Sequence, residues 1–335
     1  MDSLSQLALG AAVGVAVMGR RTAVWKAALW GAVAGTLPDL DAFIDHGDAI
    51  ANVTQHRSHS HGLFWLTLGA PVLAWIAWRL HGPREAFGRW WLAIWLALVT
   101  HPLLDTMTVY GTQLLQPFSD HPFAVGSIFI IDPIYTLPLL VGVGVALARR
   151  RFAGLRWNAW GLALSTAYLA WSALAQWHVQ DVVRGQLAAR GTPHGPVLVT
   201  PAPFNTVLWR IVVMQGGGYE EGFYSLLDGA RPVRFEAFAS DPALFDELKG
   251  LPAVQRMAWF SRGLFKVHED GGLAYITDLR MGQEPGYSFD FRVARRGSGL
   301  EPVVPRNEGM RVDVRKGLEW LWPRLLGQDL PPPGE

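Results

Sequence analysis

Residues 157–177 read WNAWGLALSTAYLAWSALAQW, an uninterrupted run without one charged side chain. A helix that crosses a bilayer needs about 20 mostly apolar residues, and this run is long enough. Working outward, Gly62–Trp78, Trp90–Met107 and Ile130–Ala148 have the same character, each with its few polar residues near one end. Leu4–Gly19 and Ala23–Leu37 are shorter, and Lys26 sits near the start of the second. Gly10/Gly14 and Gly31/Gly35 have the small-residue spacing that lets two helices approach closely in lipid. Leu4–Gly19 lacks the basic n-region of a signal peptide and reads as a retained first helix. The expected fold class is a membrane α-helical bundle of about six transmembrane helices plus a C-terminal α+β soluble domain. The expected division is 1–178 membrane, 179–329 soluble and 330–335 disordered.

The 335 residues are 50% hydrophobic and 17% charged, against about 25% charged in ordinary soluble domains. Residues 1–177 hold 11 Lys/Arg and 9 Asp/Glu, while 178–335 hold 18 and 19. This split rules out one water-soluble globule and a disordered chain. A net charge of +1 lacks the basic field that nucleic-acid binding requires. Without cysteine, disulfides, thiolate zinc sites and cysteine nucleophiles are excluded.

Six spans create alternating loops. Those after spans one, three and five carry Arg20, Arg21, Lys26, Arg79, Arg84, Arg89, Arg149, Arg150, Arg151 and Arg156; those after two and four carry only Arg57. By the positive-inside rule residues 38–61, residues 105–130 and the tail then face outward. Asp39, Asp41, Asp45, Asp48, Asp105, Asp120 and Asp132 lie in or beside these outer loops, with His46, His56, His59, His61, His101 and His121. In the tail, strand-like runs at 207–214, 222–227, 233–239, 265–268, 274–281 and 287–295, with amphipathic stretches at 242–249 and 252–263, suggest an antiparallel sheet with helices on one side. Residues 193–203 read as a proline-rich turn, and Gly216–Gly218 as a hairpin turn.

Three polar clusters carry the chemistry: Pro38-Asp39-Leu40-Asp41, His56-Arg57-Ser58-His59-Ser60-His61, and His101-Pro102-Leu103-Leu104-Asp105. His101 and Asp105, four apart, project from one face of a helix and can share a metal. Asp39 and Asp41 follow a proline where the chain leaves its helix, and a carboxylate pair there can bind one ion or bridge two. Asp132 before Pro133 is a ligand, a helix cap or both. His59 is a ligand, a proton shuttle or neither. Asp45, Asp48, Asp120 and His121 read as solvated loop residues, and His178, His194 and His268 as structural.

The pattern Gly35…Pro38-Asp39-Leu40-Asp41, His56-Arg57-x-x-Ser60-His61, His101-x-x-x-Asp105, then Tyr110-Gly111…Pro117-Phe118 before Asp132-Pro133, resembles the YdjM/YbcI-like family of inner-membrane metal-dependent hydrolases over roughly residues 1–180. The resemblance implies a bacterial cytoplasmic (inner) membrane location and metal ligation by Asp39, Asp41, His56, His61, His101 and Asp105, with Asp132 as a further candidate. It also carries a distant likeness to zinc phospholipases C. Gly62 stands where a hydroxyl residue is expected after His61, and His59 is an extra histidine. Histidine and carboxylate ligands suit one or two divalent ions, zinc first, with manganese or iron(II) as alternatives. Arg57 is placed either to hold an anionic group or to pair with the neighbouring carboxylates, and His59 joins it as a catalytic candidate. The expected function is hydrolysis of an ester or phosphoester, in a lipid or lipid-linked substrate, at the bilayer. The alternative is a metal-stabilised membrane scaffold or a metal-ion transporter; transport would place the polar residues near the midplane, whereas here they gather at one end.

Overall fold

A computed structural model describes residues 1–81, 87–149, 152–310 and 314–331. Arg84, Arg150, Arg151 and the tail from 332 onward lie outside the described residues. The chain forms two compact units. The first comprises residues 1–44, 56–173 and 203–205, and the second 45–55, 174–202 and 206–335.

The first unit is helical. Its elements are α1 (Ser3–Met18), α2 (Val24–Thr36), a 3-10 turn at Leu37–Phe43, a second at His59–His61, α4 (Leu63–His81), α5 (Phe87–Thr106), α6 (Pro133–Arg149) and the beginning of α7 (Phe152–Arg190), while α3 (Ala49–Gln55) belongs to the second unit. Asp2 starts α1 by accepting from the amides of Leu4 and Ser5, which leaves fewer orphan donors at the helix start. A Cβ on Gly10 would collide with the backbone of Gly31, and one on Gly35 would come within 2.7 Å of the Gln6 carbonyl oxygen. The four glycines therefore bring α1 and α2 to backbone contact. Ala27, Ala34, Trp90, Ile94 and Leu98 build the core between α1, α2 and α5.

The six-span expectation is overturned. Among the described residues, α4 alone is long and apolar enough to cross a membrane, with a mean hydropathy of 1.4; Leu68, Val72, Trp75 and Leu80 on it are exposed. Helices α1 and α6 are apolar but have 16 and 17 residues, and α2 has 13. The stretch 157–177 lies inside a 39-residue helix. Lack of charge is not apolarity: Asn158, Ser165 and Ser172 are buried there, each donating a hydrogen bond inside the unit. The loop count that assigned the outer face falls with the six spans.

Among the described residues, the second unit contains ten strands. One antiparallel sheet runs in the order β1 (Val197–Pro201), β2 (Leu208–Gln215), β3 (Gly218–Ser225), β4 (Phe235–Ala239). A second is built from β5 (Phe265–Asp270), β6 (Leu273–Asp278), β9 (Asp290–Arg296) and β10 (Leu300–Asn307), and β7 (Gly282–Gln283) pairs with β8 (Gly286–Tyr287). Three further helices are α8 (Pro242–Leu248), α9 (Pro252–Phe260) and α10 (Val314–Leu325). Ala175, Val179, Val183 and Leu187, spaced by four on α7, bury one stripe against Trp209, Ile211 and Val213. Residues 193–203, read as a turn, contain β1; its one proline, Pro201, is tolerated because β1, like β10, is an edge strand.

Candidate metal centre

Asp39 comes from the 3-10 turn that follows α2, His61 from the turn before α4, and His101 and Asp105 from the last two turns of α5. Their ligand atoms all lie within 4.8 Å of one another. His61 Nε2 is 3.4 Å from Asp39 Oδ1 and 3.3 Å from Asp105 Oδ2. His101 Nε2 is 3.4 Å from each of the same oxygens, and the two Nε2 atoms are 3.0 Å apart. A tetrahedral ion with ligands at about 2.0–2.2 Å would space them by about 3.3–3.6 Å, so the residues present fit a divalent ion. Asp39 Oδ1 and Asp105 Oδ2 are buried and accept no hydrogen bond, the condition of oxygens turned toward a cation. Among the described residues this is one group, able to hold a metal ion.

The surrounding residues fix the ligand atoms. His101 Nδ1 lies 2.6 Å from the Gly35 carbonyl oxygen; a carbonyl only accepts, so Nδ1 carries the proton and Nε2 offers its lone pair. Behind His61, Nδ1 lies 2.8 Å from Ser60 Oγ, and Ser60 Oγ donates to Asp41 Oδ2. Asp41 also receives the Arg57 amide at 3.0 Å and faces His56 Nδ1 at 2.7 Å. Asp41 and His56, expected as ligands, are thus paired with each other behind His61 and outside the converging four. Burial works to raise the Asp39 carboxyl, but the imidazoles of His101 and His61 outweigh it and hold it below the usual carboxylate range. Asp41 is lowered likewise, with His56 outweighing burial.

Arg57 has φ +63°, a left-handed backbone unusual for a non-glycine residue, and is 3% exposed. Its Nε lies 3.4 Å from Asp105 Oδ2, its Nη1 donates to Thr108 Oγ1, and its guanidinium stacks on Tyr110. The guanidinium is therefore an interior ion-pair partner of Asp105. His59 is exposed on its turn. Asp132 accepts from the amides of Ile134 and Tyr135 and from the Tyr168 hydroxyl; it caps α6 and is absent from the converging group. Asp48 accepts from the Ala51 amide at the start of α3, and Asp45 from Gly47. A Cβ on Gly62 would come within 2.9 Å of the Gln116 carbonyl oxygen, which explains glycine in place of a hydroxyl residue.

Sequence reading passed over Gln6. Its Nε2 donates to Asp105 Oδ1 at 3.0 Å and to the His101 carbonyl, beside the Met1 amine, which also reaches Asp105. The available signal was an amide side chain at the head of an apolar run, a placement that costs free energy without a partner once buried.

The family model described as YdjM inner membrane protein matches residues 1–179, just over half the chain. The chain belongs to this family. It is also similar to the uncharacterized protein YfhP of Bacillus subtilis (strain 168), at 29% identity over 155 residues, covering 43% of this chain and 46% of that protein. The chain thus matches less than half the length of that relative. No solved structure matches. Family membership places the protein with inner-membrane proteins, and all four converging residues lie within the matched range.

Proposed function

We propose that the chain is a membrane-bound metal-dependent hydrolase, with Asp39, His61, His101 and Asp105 holding one divalent ion, zinc first. The observation that carries this is the opening at Asp39. His61, His101 and Asp105 have fully buried side chains, whereas that of Asp39 is 18% exposed, so the group is reached from one side. Leu40, Phe43 and Ile44 follow it directly and are exposed, an apolar approach suited to the ester or phosphoester of a lipid or lipid-linked substrate. A divalent ion held there supplies Lewis acidity and water activation near neutral pH. Arg57 then serves to position Asp105, and His59, on the exposed turn, is the candidate proton carrier.

A second reading, a metal-stabilised scaffold, is favoured by the near-complete burial of four ligands, as in closed structural sites. Hydrolysis of a panel of phosphoester and carboxyl-ester lipids by metal-loaded, full-length protein separates the two. Turnover that disappears on chelation and in Asp39→Asn supports the hydrolase. Full metal content with no turnover across the panel supports the scaffold.

A further inference from the structure

At the end of the helical unit remote from the metal centre lies a cavity of about 620 Å³, lined by Val15, Arg20, Arg21, Arg89, Arg156 and Asn158 among others. Arg89 and Asp105 sit at opposite ends of α5, 16 residues apart, or about 24 Å along the helix. The two places are therefore separate. We propose that this cavity binds the headgroup of an anionic glycerophospholipid, with the arginines on the phosphate and Asn158 on a headgroup hydroxyl.

Three observations carry this. First, four guanidinium groups from three segments line one concave space, and among the described residues no acidic one lines it. Among the described residues, no carboxylate pairs with Arg21, Arg89 or Arg156. Arginine binds phosphate through two parallel N–H donors, and basic pockets between helices suit lipid headgroups. Second, Asn158 is 1% exposed. Its amide nitrogen donates to the Ala12 carbonyl at 2.9 Å, but its Oδ1 has no partner. A buried acceptor without a donor is costly, and a headgroup hydroxyl would supply the proton. Third, Trp25, Trp91, Trp157 and Trp160 are exposed near the same helix ends, and tryptophan concentrates at headgroup depth. Val15, Ala16, Val17, Leu155 and Ala159 complete the lining and offer apolar surface to the glycerol and first acyl carbons. Free phosphate would use the arginines but neither Asn158 nor this apolar wall.

The test is native mass spectrometry of delipidated full-length protein titrated with phosphatidylglycerol, phosphatidylmethanol, phosphatidylcholine and inorganic phosphate. Phosphatidylglycerol should be retained at least tenfold better than phosphatidylcholine. It should also exceed phosphatidylmethanol, which has the charge without the hydroxyl, by about fivefold, the worth of one hydrogen bond. The exposed-residue variant Arg89→Gln/Arg156→Gln should lose the preference while keeping the metal content of the parent. Equal retention of phosphatidylglycerol and phosphatidylcholine, an unchanged preference in the double variant, or binding of inorganic phosphate without lipid selectivity would each overturn the assignment. Parity with phosphatidylmethanol would overturn the role of Asn158.

Discussion

Replacing Asp41 by asparagine should weaken the metal centre without abolishing it. Asp41 lies outside the four converging residues. It accepts from Ser60 Oγ, which contacts His61 Nδ1 at 2.8 Å, and it faces His56 Nδ1 at 2.7 Å while receiving the Arg57 amide at 3.0 Å. Asparagine keeps one acceptor oxygen and turns the other into a donor. One charge-assisted hydrogen bond is then lost, at about 1.5–3 kcal/mol of folding stability. His61 keeps its place but loses the charge behind it. Loss of such an orienting partner typically lowers metal affinity by about 10–100-fold, or about 1.4–2.7 kcal/mol. Competition against a chromophoric zinc chelator should therefore show unchanged stoichiometry with a weakened dissociation constant. Complete loss of stoichiometric metal in a folded Asp41→Asn protein would make Asp41 a ligand and refute the arrangement. Unchanged affinity would refute the relay through Ser60.

Further outcomes follow from the same contacts. Arg57→Ala removes the guanidinium from a fully buried carboxylate, so the metal-free protein should lose about 3 kcal/mol or more of stability. The loaded protein should lose less, and thermal unfolding in detergent with and without zinc reads the difference. Gly31→Ala should lower the unfolding midpoint by the equivalent of about 1–3 kcal/mol, because its Cβ meets backbone of α1, whereas Gly69→Ala, with open space around it, should be neutral. Asp132→Ala should cost about 0.5–2 kcal/mol as a lost helix cap while metal content stays at the parent level; loss of metal would return Asp132 to the ligand set.

The polar clusters were legible because ionisable residues are rare in the first half of the chain and their spacing is informative. His101 and Asp105 share a face by helical periodicity, and the structure places both on α5 with side chains converging. The division of labour within the clusters was not legible. Asp39 and Asp41 are two residues apart in a 3-10 turn, and only three-dimensional packing sets one toward the group and the other behind His61. Arg57 reads equally as an anion clamp and as an ion-pair partner until its left-handed backbone turns it inward to Asp105. The six spans failed partly on length, because α1, α2 and α6 are short, and partly on composition. Tryptophan, glycine, serine and asparagine lengthen an uncharged run without supplying hydropathy, and α7 uses several of these residues for buried contacts. Edge strands β1 and β10, marked by Pro201 and by Pro302 and Pro305, escaped because proline signals a turn as readily as a sheet edge.

The centre itself is tested most directly by elemental analysis of the purified full-length chain beside His101→Ala. The four converging residues predict about one divalent transition-metal ion per parent chain and none in a variant that remains folded and membrane-associated. A parent chain without stoichiometric metal after loading, or a His101→Ala protein that retains its full complement, would contradict the account.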